Sequence, residues 1–191
     1  MRCKIFTQNA QWQQLNHEWY QHDVKPPYEF SFTKTQEGLL FCARRSAPAL
    51  IHPQGTPGNF QEELWRYDAA EFFITTPNGD RYLEFNLSPN GAWWACVFQG
   101  PRQVAPQFSS WRPVVETNAQ CSDSAWQAQA LISAASLQEA GIDVENCHLA
   151  ACAILNSPDQ LFLTSALPCT TQPDFHRPDL WEKAEPVREG I

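Results

Sequence analysis

The sequence predicts an all-β fold: an antiparallel β-sandwich of the jelly-roll or immunoglobulin-like kind with one short helix. Three observations predict it. The stretch 63–102 holds three strand-like runs joined by Pro77-Asn78-Gly79-Asp80 and Ser88-Pro89-Asn90-Gly91. Both joints carry Asn-Gly, which supplies the positive φ angles of tight hairpin turns. The middle run, 80–88, alternates strictly, with Leu83, Phe85 and Leu87 on one face and Tyr82, Glu84 and Asn86 on the other. Such a meander has one apolar face and needs a second layer to cover it. Finally, aromatic residues make up 13% of the 191 residues against 18% charged, and short turn-bounded runs recur along the chain. That pattern belongs to sandwiches rather than to alternating α/β units.

A chain of this length is most simply one domain, 1–191, with a core over about 28–181 and both extensions packed on it. Residues 1–25 are polar, with Trp12, Trp19 and Tyr20 interspersed and room for an edge strand around 3–7. Val24-Lys25-Pro26-Pro27 reads as a stiff extended joint. Runs 28–34 and 39–45 form a hairpin about Gln36-Glu37-Gly38. The Pro- and Gly-rich loop 46–60 is either a functional lid or a crossover between sheets. The meander 69–76, 80–88 and 92–99 follows, and Trp93 and Trp94 must point to opposite faces within it. Strands are expected at 114–118 and at 125–132, where Trp126, Ala128, Ala130 and Ile132 share a face despite the alanines. Residues 133–141 read as the helix, capped by Ser133 and closed by Gly141. Strands 148–155 and 161–165 flank Ser157-Pro158-Asp159, and the tail 168–191 shows no periodicity.

Composition removes several function classes. The net charge is −8, and the densest basic cluster is Arg44-Arg45, so nucleic acid and anionic membrane surfaces are not expected partners. No apolar run approaches the ~18 residues of a membrane-spanning helix, and the start carries no stretch of signal-peptide type. The seven cysteines, Cys3, Cys42, Cys96, Cys121, Cys147, Cys152 and Cys169, are odd in number and form no CxxC. Reduced thiols in a cytoplasm are the consistent expectation. Cys147 and His148 point to opposite faces of a strand and cannot share a metal. The familiar catalytic templates GxSxG, GxGxxG, HExxH and the P-loop are missing, and no enzyme activity is expected. The acid pairs Asp68 with Glu71 and Glu62 with Glu63 do not distinguish a glycosidase from surface carboxylates. No cofactor is expected, although Asp68, Asp80, Asn78 and Asn90 are oxygen donors of the kind calcium takes, as well as residues that turns favour.

Eight tryptophans exceed ordinary core needs and point to a stacking surface, or else to a sandwich core filled with indoles. An indole face can stack on the C–H face of a sugar while carboxylates and amides take its hydroxyls. Trp65, just before the strand carrying Glu71, has those ingredients, as do Glu84 and Asn86 on the polar, solvent-facing or concave side of the next strand.

The run Leu64-Trp65-Arg66-Tyr67-Asp68-Ala69-Ala70-Glu71-Phe72-Phe73, then Asn78-Gly79, then 82–91 (YLEFNLSPNG) resembles family 9 carbohydrate-binding modules and the wider DOMON-like superfamily. So does PDFHRPDLW at 173–181, and the likeness extends over about 28–181. The resemblance implies a sandwich that clamps a sugar between two aromatic rings. Trp65 then matches the first ring and Glu71 the carboxylate that takes hydroxyls; the second ring has no single match, with Phe175, Trp181 and Trp111 as candidates. DOMON-like relatives that hold haem use Met and His ligands; here the only Met is Met1, which leaves a two-His arrangement as the haem alternative. His176 and Arg177 act either on ligand or as a latch, with Arg177 paired to Asp68, Glu71 or Glu84. The expected ligand set is Trp65, Glu71, Glu84, Asn86, Phe175, His176 and Arg177, and the expected ligand a saccharide or similar polyhydroxylated molecule. The alternative is a cytoplasmic structural or protein-interaction module whose mouth is shut by its own tail. The two differ in whether Trp65 stands beside an open pocket or under residues 173–181.

Overall fold

Strict alternation along these runs does build two facing sheets in the computed structural model, which describes residues 1–8, 11–168 and 170–187. Cys169 and the last four residues of the tail lie outside the described residues. In the first sheet, β1 (Lys4–Phe6), β2 (Gln13–His17), β3 (Asp23–Lys34), β4 (Gly38–Arg45), β9 (Val115–Cys121), β10 (Trp126–Ser133) and β14 (Glu185–Val187) run in the order β14-β1-β3-β4-β10-β9, with β2 also on β3. In the second, β5 (Ala69–Thr75), β6 (Tyr82–Leu87), β7 (Trp93–Gly100), β8 (Gln103–Val104), β11 (His148–Asn156), β12 (Gln160–Thr164) and β13 (Glu182–Lys183) run β12-β11-β5-β6-β7-β8, with β13 also on β11. Every pairing is antiparallel except those of β1, which lies parallel to both β3 and β14. The loop 46–60 is the crossover between the sheets, tied back by a bridge from Phe60 to Trp93.

The core between the sheets is a chain of rings. Phe32 stacks on Phe41 at 5.1 Å, Phe41 meets Phe72 edge-on at 5.1 Å, and Phe72 stacks on Phe85 at 5.4 Å, so β3, β4, β5 and β6 are joined through contacting aromatics. Trp126, Ala128, Ala130 and Ile132 all point into this core. The small alanines let β10 sit close, while the alternation of buried and less buried residues keeps it a strand. The helix α1 (Ala134–Ala140) follows, with Ser133 Oγ accepting from Ser136 N at 3.2 Å and Gly141 closing it at φ 76°.

Three expectations are corrected. Pro26 and Pro27 lie inside β3, which starts at Asp23 rather than at Tyr28. Prolines are tolerated there because β4 pairs only from Glu29 onward, leaving that end with β2 alone on one side. The polar N-terminal region holds a second strand, β2, whose only buried side chain is Leu15. The tail, which shows no periodicity, contributes β13 to one sheet and β14 to the other. Strands of two and three residues are too short to leave a period. In the hairpin turns, positive φ falls on Gly79 (70°) and Gly91 (87°) and not on the asparagines. Asn90 instead accepts from Ala92 N through Oδ1 and donates to Gly55 O.

Two glycines separate conformational from steric demand. At Gly38, φ is +153° and an added Cβ would lie 1.9 Å from the Ile132 carbonyl oxygen; at Gly79, φ is +70° with open space around it. Gly79→Ala is expected to cost about 1–2 kcal/mol, the left-handed penalty alone. Gly38→Ala must also displace backbone and is expected to cost more than that. Urea unfolding followed by tryptophan fluorescence checks the order; equal midpoints for the two variants would contradict it.

Candidate functional site

The outward face of the second sheet carries the site. Strand pairing sets two neighbouring rows across it, Cys152–Glu71–Asn86–Trp94 and Ala150–Phe73–Glu84–Cys96. Leu83, Phe85 and Leu87 enter the main core, so Tyr82, Glu84 and Asn86 face the other way. That face is not open to solvent as the alternation alone suggests: Glu71 is 2% exposed, Glu84 6% and Asn86 0%. The cover is the tail. Trp181 packs on Phe73 and Tyr82 at 5.4 and 5.1 Å, and Phe175 meets Phe73, Trp19 and Phe162 at 6.2, 5.9 and 6.3 Å. His176 lies against the rings of Phe73 and Phe98. These residues form a second small core, separate from the one between the sheets.

The cover is incomplete. A pocket of about 410 Å³ remains, lined by Trp65, Glu71, Glu84, Trp94, Phe175 and His176, with Phe73, Phe98, Phe162 and Arg102 completing its walls. That volume lies in the range of small-molecule sites. Trp65 sits in a 3-10 turn, Leu64–Arg66, whose Leu64 is buried while the indole is 50% exposed. The Arg66 guanidinium lies 5.1 Å over that ring and pairs with Glu63 at 2.9 Å.

Of the residues singled out in the sequence, the structure brings Trp65, Glu71, Glu84, Phe175 and His176 to one pocket, with Asn86 beside them donating from Nδ2 to Glu84 Oε1 at 3.1 Å. Arg177 is not among the lining residues. Its fork closes on Asp179 at 2.9 and 2.7 Å, not on Asp68, Glu71 or Glu84, because a carboxylate two positions along the same turn is nearer at hand. Of the candidate second rings, Phe175 lines the pocket, Trp181 packs beneath it, and Trp111 belongs to the inter-sheet core against Phe108. Trp94 and Arg102 were not identified from the sequence. Trp94 is the outward member of the Trp93-Trp94 pair, a signal present in the alternation; Arg102, beyond the end of β7, leaves none. Arg102 is held at the mouth by Asp174 at 2.6 Å and by its own N–H, which donates to Tyr82 Oη. The oxygen donors Asp68, Asp80 and Asn90 are engaged locally, by Asn156 N, Thr76 Oγ1 and Ala92 N respectively.

The electrostatics of the pocket follow from burial. Desolvation raises both carboxyls; Glu71 rises well above its usual range, with Glu84 adding to the effect, and Glu84 is pushed up to about 7 despite the Asn86 hydrogen bond and Arg102. Burial, with Arg102 nearby, lowers His176 to about 4, so its ring is neutral at pH 7. The Tyr82 hydroxyl, 2.8 Å from His176 Nδ1, stays protonated because burial pushes it up to about 12. Its oxygen accepts from Arg102 N, and its single proton has two acceptors within reach, Gly100 O at 3.3 Å and His176 Nδ1, while His176 Nε2 faces Glu84 Oε2 at 3.5 Å. With the ring neutral this contact is not an ion pair. Glu71 Oε1 and Asn86 Oδ1 are buried with no hydrogen-bond partner.

No protein-family model matches the chain. Among curated proteins, the UPF0462 protein C4orf33 homolog of Rattus norvegicus is 36% identical over 52 residues, 27% of this chain and 26% of that protein. The homolog of Danio rerio is 27% identical over 122 residues, 62% and 59% of the two chains. The chain thus spans less than two thirds of either relative. Among solved structures, a candidate carbohydrate-binding protein from Bacteroides uniformis superposes with a TM-score of 0.70 at 12% identity, covering 98% of both chains. A family 9 carbohydrate-binding module from Caldicellulosiruptor kristjanssonii, in complex with cellotriose, gives 0.62 at 8% identity over 100% of this chain and 95% of that one. Its complex with glucose gives 0.61 at 10% identity over 95% and 86%. At these identities the likeness establishes a fold of the carbohydrate-binding-module type.

The buried groups make stability depend on pH with a definite sign. Between 4.5 and about 7 the folded chain keeps the Glu84 proton that the unfolded chain has lost, so stability falls as pH rises through that window, and Glu71 extends the fall upward. His176 acts oppositely: stability is lost as pH falls from 6.5 toward about 4. Above 6.5 only the carboxyls remain. The urea midpoint is expected to fall between pH 6.5 and 8, with Glu84 ceasing to contribute once it ionises at about 7 and Glu71 alone carrying the fall beyond, at no more than ~1.4 kcal/mol of stability per pH unit. Glu71→Gln flattens the fall; a wild-type midpoint that rises over this range contradicts the account.

Proposed function

We propose that this protein is a non-catalytic module that recognises a saccharide in the pocket on the outward face of its second sheet. The observation that carries the reading is the pairing of an exposed indole with a floor of unmet acceptors. The half-exposed Trp65 lines the pocket, and Glu71 Oε1 and Asn86 Oδ1 are buried without partners among the described residues. Buried polar atoms are ordinarily satisfied, and each one left open costs about 1–3 kcal/mol. A ligand rich in hydroxyl donors removes that cost while an apolar sugar face stacks on the ring. Phe175 or Trp94 serves as the opposing ring, since both line the same pocket. The open flank beside Trp65 favours this reading over a mouth sealed by the tail. Solved structures of similar fold, crystallised with cellotriose and glucose, add support.

Binding rather than hydrolysis fits the placement of the acids. Glycosidase carboxyls flank the scissile bond from two sides. Glu71 and Glu84 are diagonal neighbours on a single sheet face.

Tryptophan fluorescence during titration with mono- and oligosaccharides tests the proposal. A saturable change is expected, and Trp65→Ala should weaken binding by about 1–3 kcal/mol, as loss of a stacking ring does elsewhere. Because Trp65 is half-exposed, the variant should retain its urea midpoint within about 0.5 kcal/mol. Silence toward every sugar, with Trp65→Ala destabilised instead, would make the indole a structural residue and end the proposal.

A further inference from the structure

The pocket floor is one-sided in its chemistry. Its unmet atoms, Glu71 Oε1 and Asn86 Oδ1, are both acceptors, and a second buried carboxyl, Glu84, stands diagonally beside them. Asn86 has already spent a donor on Glu84. Glu71 makes no hydrogen bond with Glu84 or with any other described residue, and no positive charge among the described residues offsets its burial. The charged and titratable groups that face the pair are few. From β6 comes Tyr82, hydrogen-bonded to His176; from β7 Cys96; from β11 Cys152; and from the tail His176, whose ring is neutral. Arg102 is the cation in the lining, and Asp174 already holds its guanidinium at the mouth. Around this acidic floor stand the faces and edges of Trp65, Trp94, Phe73, Phe98 and Phe175. A site of two buried carboxyls, of which only Glu84 feels a cation and that one held outward by Asp174, walled by π-systems, is complementary to a positive charge with several protons to donate.

A neutral sugar meets the acceptors but not the charge. Its hydroxyls leave the two acids either protonated or buried as uncompensated anions, both of which weaken what the carboxyls contribute. An ammonium meets both demands, because it brings three donors and the missing charge together.

We propose, resting on the saccharide reading above, that the ligand is an amino sugar whose protonated primary amine sits on the Glu71–Glu84 carboxyl pair. The accompanying step balances simply. The acid enters as a carboxylic acid, the ligand as an ammonium; on binding the carboxyl O–H is broken, the proton leaves to the buffer, and the resulting carboxylate accepts from the ammonium N–H. Burial of both acids, with Glu84 acting on Glu71, favours that proton in the free protein. Amine binding is therefore coupled to proton release, whereas a neutral sugar needs none.

Calorimetric titration of the intact protein at pH 7 tests this with D-glucosamine, D-glucose, N-acetyl-D-glucosamine and n-butylammonium. Glucosamine is expected to bind about ten-fold or more tighter than glucose or N-acetylglucosamine, as a charge-assisted hydrogen bond implies. Its apparent enthalpy should vary with the ionisation enthalpy of the buffer, showing release of close to one proton, and glucose should show none. In Glu71→Gln the ratio of glucosamine to glucose affinity should collapse toward one, with Glu84→Gln as the second variant. The wild-type comparison does not depend on either variant folding. Glucose binding as tightly as glucosamine, without proton release, overturns the ammonium inference and leaves the saccharide reading standing. Butylammonium matching glucosamine while glucose stays silent overturns the saccharide reading beneath it, as does silence toward every probe.

Discussion

The site depends on one ring. Phe73 projects from β5 onto the outward face of the second sheet, and Phe175, His176 and Trp181 all gather around it. The tail depends on such side-chain packing, because its own strands, β13 and β14, are two and three residues long. The rings drawn onto Phe73 bury the Glu84 carboxyl, bring His176 into hydrogen-bond contact with Tyr82 and shape one wall of the pocket. Hydrophobic packing on one face of a seven-residue strand thus shapes the protonation of the acids beside it. The sheet would hold its shape through the Phe32–Phe41–Phe72–Phe85 ring chain regardless. What the tail adds is an environment, in which ordinary carboxyls become weak acids.

The balance of local and distant causes explains what could be read from the chain. The meander, the hairpins and the α1 caps were legible because each is fixed within a few residues: alternation, an Asn-Gly joint, a Ser before and a Gly after. β10 was legible for the same reason, since Trp126, Ala128, Ala130 and Ile132 hold a period of two that a helix would scramble. The polar face of β6 misled, because alternation reports which residues share a face and not what lies over it. The residues that bury Glu84 are some ninety positions away, at 175, 176 and 181. Pro26 and Pro27 misled in a similar way: a proline signals a break only when both strand edges are needed.

The site divides along the same line. Trp65, Glu71 and Glu84 were legible as a ring and two acids on and beside strands whose register was clear. Asn86, two residues from Glu84, came with them. Trp94 was half legible, since one of two adjacent tryptophans had to face outward. Arg102 and Arg177 were exchanged. Arg177 stands among aromatic and acidic neighbours in the sequence and Arg102 among no acids, yet Arg102, in the turn after β7, reaches the mouth while Arg177 forks to Asp179. An arginine side chain spans several ångströms, and its target is settled by backbone direction rather than by neighbours in sequence.

The tail also orders events in time. Its strand β14 lies parallel to β1, with Glu185 N donating to the carbonyl of Cys3, so nearly the whole chain separates two strands that touch. Joining segments so distant in sequence is entropically costly and slow compared with closing the hairpins. On a ribosome, β1 to β12 are translated before the tail residues Phe175, His176 and Trp181 emerge. Until then Phe73, Tyr82 and the two glutamates form a bare surface, and the acids on it are hydrated and ionised. A nascent chain halted before residue 170 would carry the sandwich without its chemistry. The pocket takes its form only when the tail docks, so its presence reports that the two ends of the described chain have met.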